Sequence, residues 1–405
     1  MWGRSRLFAL VAGGAVLAIA LGVGAALLIG RGGVDGPLDI PRIADPYPTP
    51  PRFTMPENCG VRSATLDEVM PHHELANRME NGCYFRTDRI RKNARHGSAT
   101  ITFTVGSPLN KGKVSVADAM STFDSTTGRN DPGSDGTAWQ NVIGLGDEAA
   151  VRYDDNYDHT EVVVRVQAVT AEITYVIRRA VGSESVPLDE KPSIDGALAI
   201  AGDVARALGG KVESPAVGSK PGSSPALTAP DACDLITPAT LQRLDRKATP
   251  SKGDSSGILS ALSEADEDRC YWQEGAGSRT DQTSLSVVVK TFTDGAQGSG
   301  EEKAARYFLK TYHEAREGGI DSYPVARRNF HPLSAPGEQA MAYYSVGSPL
   351  PQLPKMAEGV VVFRIRNLVV EVSYDGVSGG EPLSEAVVLN RAYLGAKDAA
   401  AALAG

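Results

Sequence analysis

An apolar residue occupies every second position in two separate stretches of the chain, residues 169–175 and 368–374. Each stretch ends on a tyrosine, and this pattern predicts a β-strand with one buried face. The stretches belong to longer segments, 162–175 and 361–374, that align without a gap and are identical at five of fourteen positions. Because only a tight turn fits at residues 167–168 and 366–367, each longer segment is predicted to be an antiparallel hairpin.

Other predicted elements recur in the same order around these hairpins. An alternating strand comes earlier in each copy, at 101–105 and 285–289, and a helix follows it, beginning near Ser115 in the first copy. In the second copy, Glu301 and Glu302 suit the N-terminal end of that helix. Its apolar stripe is predicted to be Ala305, Phe308, Leu309 and Tyr312. Each copy closes with an Ala/Leu-rich helix, at 197–210 and 392–405. The pattern predicts an α+β fold of two tandem domains, each a mainly antiparallel sheet with helices packed on it.

Four cysteines fall into two pairs, one in each copy: Cys59 with Cys83, and Cys233 with Cys270. This usage favours disulfides in an oxidising compartment, each adding on the order of 3 kcal/mol to stability. Neither pair has C-x-x-C spacing and no histidine cluster lies beside them, so a thiolate metal site and free buried thiols are the weaker alternatives. The first cysteine of each pair precedes a short helix, for which Ser63 and Thr237 are the expected N-caps.

Residues 7–30 carry no charge, and as a helix they would be roughly 36 Å long, enough to cross a bilayer. Arg4 and Arg6 precede this segment, which predicts a single transmembrane helix with a cytoplasmic N-terminus and residues 31–405 outside the cell. The alternative is a signal peptide cleaved after Ala18-Ile19-Ala20, which would leave a strongly apolar new terminus.

The domain boundaries follow from two segments rich in proline. Residues 1–31 form the cytoplasmic stub and transmembrane helix, and 32–55 form a Pro-rich tether that could reach roughly 75 Å. The first α+β domain is expected at 56–211 and the second at 230–405, joined by a flexible Pro/Gly/Ser linker at 212–229.

Several short motifs shared by the copies resemble the actinobacterial secreted domain-of-unknown-function family 3558, here in two tandem copies behind a transmembrane anchor. The first copy has Cys83-Tyr84 and the segment Gly144-Leu145-Gly146-Asp147-Glu148-Ala149, whereas the second has Cys270-Tyr271-Trp272 and only Gly337-Glu338-Gln339-Ala340. The resemblance implies an extracytoplasmic envelope protein of unknown activity, commonly lipid-anchored, and it offers no catalytic residues to transfer. This chain departs from the family in its spanning helix and its duplication.

Three local motifs are similar to chemical sites, but none of them is predicted to be one. Residues 376–380 fit G-x-S-x-G around Ser378, but Pro382 interrupts the expected helix and no histidine follows. Residues 154–159 place Asp154, Asn156 and Asp158 like the start of a calcium loop, but the rest of that loop is missing, so a polar hairpin connection is expected. His72 and His73 are expected to be solvent-exposed, since the second copy has no matching pair.

Two pairs of residues retained in both hairpins are predicted to be structural. Tyr175 and Tyr374 are expected in the cores with bonded hydroxyls, the alternative being that they line a pocket. Glu172 and Glu371 lie on the opposite face, where cross-strand ion pairs with Arg165 and Arg364 are expected.

The sequence therefore predicts no catalytic, cofactor-binding or metal-binding residues. The formal net charge of −8 becomes −10 when Arg4 and Arg6 are left out, which disfavours nucleic acid and anionic lipid as partners. We expect a plasma-membrane protein that binds an unknown envelope protein or small-molecule ligand without catalysis. The alternatives are a structural or accessory scaffold subunit of an envelope complex and, less favoured, a hydrolase.

Overall fold

The computed structural model describes residues 36–404 apart from 48, 88–94, 107–113, 129–138, 182–183, 220–221, 223–224, 245–248, 254–264, 276–277, 279, 296–297, 318–325 and 348–354. Within these ranges no helix is long and apolar enough to cross a bilayer, and the predicted span at 7–30 lies outside them. Two antiparallel sheets with helices packed on them confirm the α+β fold class.

The described residues of the first domain form nine strands and three α-helices. Its strands are β1 (Glu74–Met79), β2 (Gly82–Thr87), β3 (Arg95–Val105), β4 (Gln140–Leu145), β5 (Glu148–Asp154), β6 (His159–Val166), β7 (Val169–Val181), β8 (Glu184–Pro187) and β9 (Val212–Val217). Its helices are α1 (Ser63–Val69), α2 (Val116–Thr126) and α3 (Glu190–Ala207). The strand order is β1-β2-β3-β7-β6-β5-β4-β9, with β8 beside β7.

The second domain repeats this plan. Its strands are β10 (Ser251–Lys252), β11 (Ala265–Glu274), β12 (Gln282–Phe292), β13 (Ala326–Leu333), β14 (Gln339–Gly347), β15 (Met356–Ile365), β16 (Leu368–Ser378) and β17 (Glu381–Pro382). Its helices are α4 (Pro238–Arg243), α5 (Gly300–Glu317) and α6 (Glu385–Ala404). The order β10-β11-β12-β16-β15-β14-β13, with β17 beside β16, matches the first domain strand for strand except for β9. The duplication read from the sequence is therefore a duplication of topology, and both predicted hairpins are present.

Each sheet is covered on both faces. In the first domain α3 packs with Val162 and Val164, whereas Phe123 of α2 packs with Val163 on the other face. In the second, Val361 and Phe363 share a cluster with α6, and the alternate positions 360 and 362 share one with α5. Two-sided burial explains why consecutive apolar residues occur in the first half of each hairpin, at 162–164 and 361–363.

Both predicted disulfides are present, Cys59–Cys83 and Cys233–Cys270. The first cysteine of each lies in a short 3-10 turn and the second on the strand next to the sheet edge, β2 or β11, so each bond joins the start of its domain to its sheet. Thr237 is confirmed as an N-cap because its side chain accepts a hydrogen bond from the Thr240 N–H. The prediction for Ser63 is wrong, since α1 already begins there and Arg62 is the capping position.

Part of the predicted linker belongs to the first sheet. Residues 212–217 form β9 and pair with β4, so the sheet extends six residues past the boundary expected at 211. Pro215 can occupy this strand because β9 lies at the sheet edge, where a missing N–H leaves no ladder bond unmade.

The Pro-rich tether also differs from a free spacer. Residues 36–47, here called the N-terminal strap, pack on the second domain, where Ile40 is buried in the core beside α6. Arg42 of the strap forms an isolated β-bridge with Leu333, and the Pro41 carbonyl accepts a hydrogen bond from the Ser334 N–H at 3.0 Å. Farther along, Phe53 and Met55 pack against the first domain. Extended proline-rich backbone makes no internal hydrogen bonds, so its carbonyls are available to a neighbouring surface.

Candidate functional site

The two domains meet through their middle helices, α2 and α5. Helix α5 buries Ala304, Phe308 and Tyr312 against its own sheet, as expected for two of the four stripe positions. Its other face is covered too, because Leu309 packs with Val116 and the neighbouring α2 residue Met120. No residue of α5 is fully exposed to solvent. The polar face of a helix that looks amphipathic in sequence is therefore a domain interface.

A buried ionic network crosses this interface. The guanidinium of Arg306 on α5 donates to Glu148 at the start of β5 and to Asp124 on α2. Lys310 lies 3.4 Å from Asp124, and Arg165 donates to Glu148 at 2.6 Å. The Asp124 side chain is only 3% exposed. Burial opposes the charge of Arg306, but the two carboxylates outweigh it and raise its pKa.

Glu317, the last residue of α5, caps the first turn of α2. One carboxylate oxygen accepts from the Val116 N–H at 3.1 Å and the other from the Ser115 hydroxyl at 2.7 Å. Ser115 in turn accepts from the Asp118 N–H, as expected for an N-cap. A carboxylate at this position satisfies unpaired N–H groups and interacts favourably with the helix dipole. The second domain thus supplies part of the cap of a helix in the first.

The N-terminal strap joins the same network. Asp45 accepts hydrogen bonds from the Tyr312 hydroxyl at 2.6 Å and from Arg316 at 3.2 Å. The ring of Tyr47 packs edge-on against Tyr312, and its hydroxyl accepts from Gln339 at 3.0 Å. Burial raises the pKa of Asp45, but the hydrogen bonds from Tyr312, the Tyr47 N–H and Arg316 more than compensate and lower it. The strap is therefore a third component of the interface.

We expect His313 to make the stability of the protein depend on pH. Burial, reinforced by the charge of Arg316 and opposed by Glu317, lowers the pKa of its imidazole below the ordinary 6.5. The folded state then favours the neutral ring, while the unfolded chain takes up a proton as the pH falls through 6.5. We expect the free energy of unfolding to decline from pH 7 towards pH 5.5, by at most about 1.4 kcal/mol per pH unit from this group.

Urea titrations of the wild type and of His313→Gln at several pH values measure this contribution. The variant should show a flatter dependence below pH 6.5, because it has lost the group that titrates there. Identical slopes in the two proteins would contradict the assignment to His313.

A cleft of about 960 Å³ lies beside the α2–α5 contact, with walls from both domains and from the strap residue Tyr47. Its apolar lining includes Val142, Ile143, Leu145, Phe292 and Leu309. Lys211 and Lys303 also line it, and neither pairs with a carboxylate of the described residues. The Asp124–Arg306–Glu148 network closes one side.

One wall of the cleft contains a turn motif that both domains build in the same way. Arg165 donates to the Gln167 carbonyl at 2.7 Å, and the Gln167 N–H donates to Asp147 at 2.6 Å. In the second domain Arg364 donates to the Arg366 carbonyl at 2.9 Å, and the Arg366 N–H donates to Glu338 at 3.1 Å. The expected Arg165–Glu172 and Arg364–Glu371 pairs are wrong, because strand register sets each arginine beside the preceding Gly-acid segment instead.

The other candidate site residues of the sequence lie away from the cleft. Ser378 ends β16 in a turn leading to another strand, not a helix, and its hydroxyl donates to Asp281. Asp154 accepts from the N–H groups of Asn156 and Tyr157 within the β5–β6 connection, which is the polar hairpin loop expected. His72 and His73 lie in a turn after α1; the first is exposed and the second partly buried near Asp67. Across the described ranges, no three or more His, Cys, Asp or Glu side chains are arranged to hold a metal ion.

Both retained tyrosines are core residues with bonded hydroxyls. The Tyr175 hydroxyl donates to the Val69 carbonyl at 2.9 Å, and burial raises its pKa. The Tyr374 hydroxyl accepts a hydrogen bond from Arg391, whose guanidinium lies over its ring. Sequence reasoning relied on residues that both copies retain. It therefore missed Arg306, which occurs in one copy, and the cleft, which forms between the two domains.

Comparison with known proteins adds no identification. No family model and no curated protein matches the chain. Among solved structures, the di-domain ARO/CYC StfQ from the steffimycin biosynthetic pathway aligns over 84% of this chain and 92% of its own, with 11% identity and a TM-score of 0.15. DynU16, from the dynemicin biosynthetic locus, aligns over 84% and 88%, with 11% identity and a TM-score of 0.11. Scores this low carry no argument about fold or function, and the resemblance to the secreted family stays a prediction.

Proposed function

We propose that this chain is a membrane-anchored, extracytoplasmic envelope protein that holds a small amphipathic ligand between its two domains without catalysis. The observation that carries the proposal is the cleft of about 960 Å³ walled by both domains. Small-molecule sites have volumes of about 300–1,000 Å³ and occur preferentially at domain interfaces.

The lining supports an amphipathic ligand. Side chains such as Val142, Ile143 and Phe292 offer an apolar surface, and Lys211 and Lys303 offer charged groups that could orient polar atoms. Three of the carboxylates that line the cleft already have structural tasks. Asp124 and Glu148 accept hydrogen bonds from Arg306, and Asp147 accepts from the Gln167 N–H. This arrangement supports binding over catalysis.

The location outside the membrane is supported by cysteine chemistry and by the apolar N-terminus. All four cysteines are in disulfides, which persist in oxidising compartments. Residues 7–30 are long and apolar enough to act as the anchor. The two domains contact each other, so the proposed mode is one shared site and not bivalent binding by two independent modules.

A flat protein-docking patch has less support. Among the described residues, large exposed apolar side chains are scattered over different elements: Ile43, Leu75, Tyr157, Val181, Val186, Val217 and Tyr271. Isolated exposed apolar residues are normal on a protein surface, whereas docking sites form contiguous patches.

Filling the cleft should abolish ligand binding. Ala305 on α5 and Ile143 on β4 both line the cleft, so Ala305→Trp and Ile143→Trp each place an indole in it. Ala402→Trp, at an exposed position on α6, is the matched control. The full chain is purified from its native membranes into nanodiscs, and small molecules released on denaturation are identified by mass spectrometry.

We expect a compound at about one per protein in the wild type and in Ala402→Trp, reduced at least tenfold in both cleft variants. Equal recovery from all four proteins, or no compound enriched over empty nanodiscs, would count against the proposal.

A further inference from the structure

The N-terminal strap begins on the second domain, although the first domain follows it in the chain. Asn390, in the second turn of α6, donates to the Pro37 carbonyl at 3.0 Å and to the Gly36 carbonyl at 3.4 Å. Its own side-chain oxygen accepts from the Asp39 N–H at 2.9 Å. Asn390 is buried, so these hydrogen bonds are shielded from water. The start of the strap is therefore attached to a defined place on α6.

The attachment continues along the strap. Ile40 is buried in the core of the second domain, and the Ile43 N–H donates to the Pro332 carbonyl at 3.0 Å. Asp45 then reaches Tyr312 and Arg316 on α5. Apolar burial, backbone hydrogen bonds and a charged contact thus act in succession over ten residues, and release of the strap requires losing them together.

The length of chain before the strap limits how far this place can be from the anchor. The apolar segment ends at Gly30 and the strap begins at Gly36. Six fully extended residues span at most about 22 Å, whatever path they take. The net charge argues against attraction to anionic headgroups, so the distance is set by chain length alone.

We infer that the surface of the second domain around Asn390 and the strap start faces the bilayer, so that the second domain is the membrane-proximal one. This inference rests on the proposed anchor at residues 7–30. A free tether of residues 32–55 would instead lead from the membrane to the first domain, leaving the second beyond it.

Energy transfer to the membrane surface tests this orientation. The full chain is reconstituted into vesicles whose lipids carry a headgroup acceptor dye, and a donor is attached through an unnatural azide residue. One donor position is Lys397, exposed on α6 and interacting electrostatically with Asp39 of the strap. The other is Tyr157, which is 73% exposed at a hairpin tip of the first domain. A third protein carries the Lys397 donor and twenty added Gly/Ser residues between positions 35 and 36.

We expect transfer from position 397 to exceed transfer from position 157 and to fall roughly twofold with the insertion, since lengthening the connection from six to twenty-six residues raises its average span from about 13 Å to about 28 Å. Transfer at 397 that is no greater than at 157, or that is unchanged by the insertion, would overturn the inference. Flotation of the vesicles is measured first, because a chain that fails to float contradicts the anchor itself, whereas a floating chain with weak transfer at 397 contradicts only the orientation.

Discussion

Replacing Arg306 with methionine is expected to lower the free energy of unfolding by about 3 kcal/mol, because it leaves buried carboxylates without the cation they share. Methionine retains much of the aliphatic length of arginine, so packing against α2 changes little. Lys310 and Arg165 still contact Asp124 and Glu148 respectively, which keeps the loss at the low end for a broken buried pair. Urea unfolding of the full chain, followed by tryptophan fluorescence, measures the change.

Lys303→Met is the matched control for this experiment. Lys303 lies one turn earlier on α5, lines the same cleft and forms no ion pair with a described carboxylate. Its removal should change stability by less than about 0.5 kcal/mol. Adding Asp124→Asn to Arg306→Met should recover part of the loss, since it removes one of the stranded charges. If Arg306→Met and Lys303→Met have equal effects, the network does not hold the domains together.

Much of the fold could be predicted because the chain contains two copies of the same pattern. The 162–175 and 361–374 segments align without a gap, and their tight reversals specify hairpins by local geometry alone. The cysteine pairs could be assigned because one pair falls within each copy. Even the consecutive apolar residues 162–164 of β6 and 360–363 of β15 have a simple cause, which is burial on both faces of the sheet.

The interface could not be predicted, because it depends on differences between the copies. Arg306 and Lys310 have the spacing of an ordinary solvent-facing helix surface, and nothing local shows that a second helix covers them. The packing of the strap could not be predicted for a related reason. Proline specifies an extended backbone but not what lies beside it, and the partners of Pro37 and Asp45 are more than 250 residues away.

The turn motif shows how the structure reassigns a sequence feature. The Gly-Asp segment of the first copy matches the motif of the secreted family better than Gly337-Glu338-Gln339-Ala340 does. In both domains, however, the acidic side chain of the segment accepts a hydrogen bond from a turn N–H. Each segment also sets the next residue, Glu148 or Gln339, to accept from the arginine on the neighbouring strand. The segment is part of the scaffold in both domains, and glutamate replaces aspartate without loss of the contact.

If this motif is structural, replacing its glycine should destabilise the protein equally in both copies. Gly146 and Gly337 have φ values of +63° and +75°, and an added Cβ would lie 2.7 Å from the Arg165 carbonyl oxygen and 2.6 Å from that of Arg364. Gly146→Ala and Gly337→Ala are each expected to cost about 3 kcal/mol, from left-handed strain of about 1–2 kcal/mol together with overpacking of a similar size.

Gly379→Ala separates these two causes, since Gly379 has a φ of +59° but nothing within 4 Å of the added Cβ. It should cost only about 1 kcal/mol, the strain alone. Urea unfolding of the three variants in the full chain measures the differences. Equal costs at all three positions would show that close approach to the arginine carbonyl contributes nothing. A large cost at Gly146 with a small one at Gly337 would restrict the motif to the first domain, where its role would then have to be sought in the cleft.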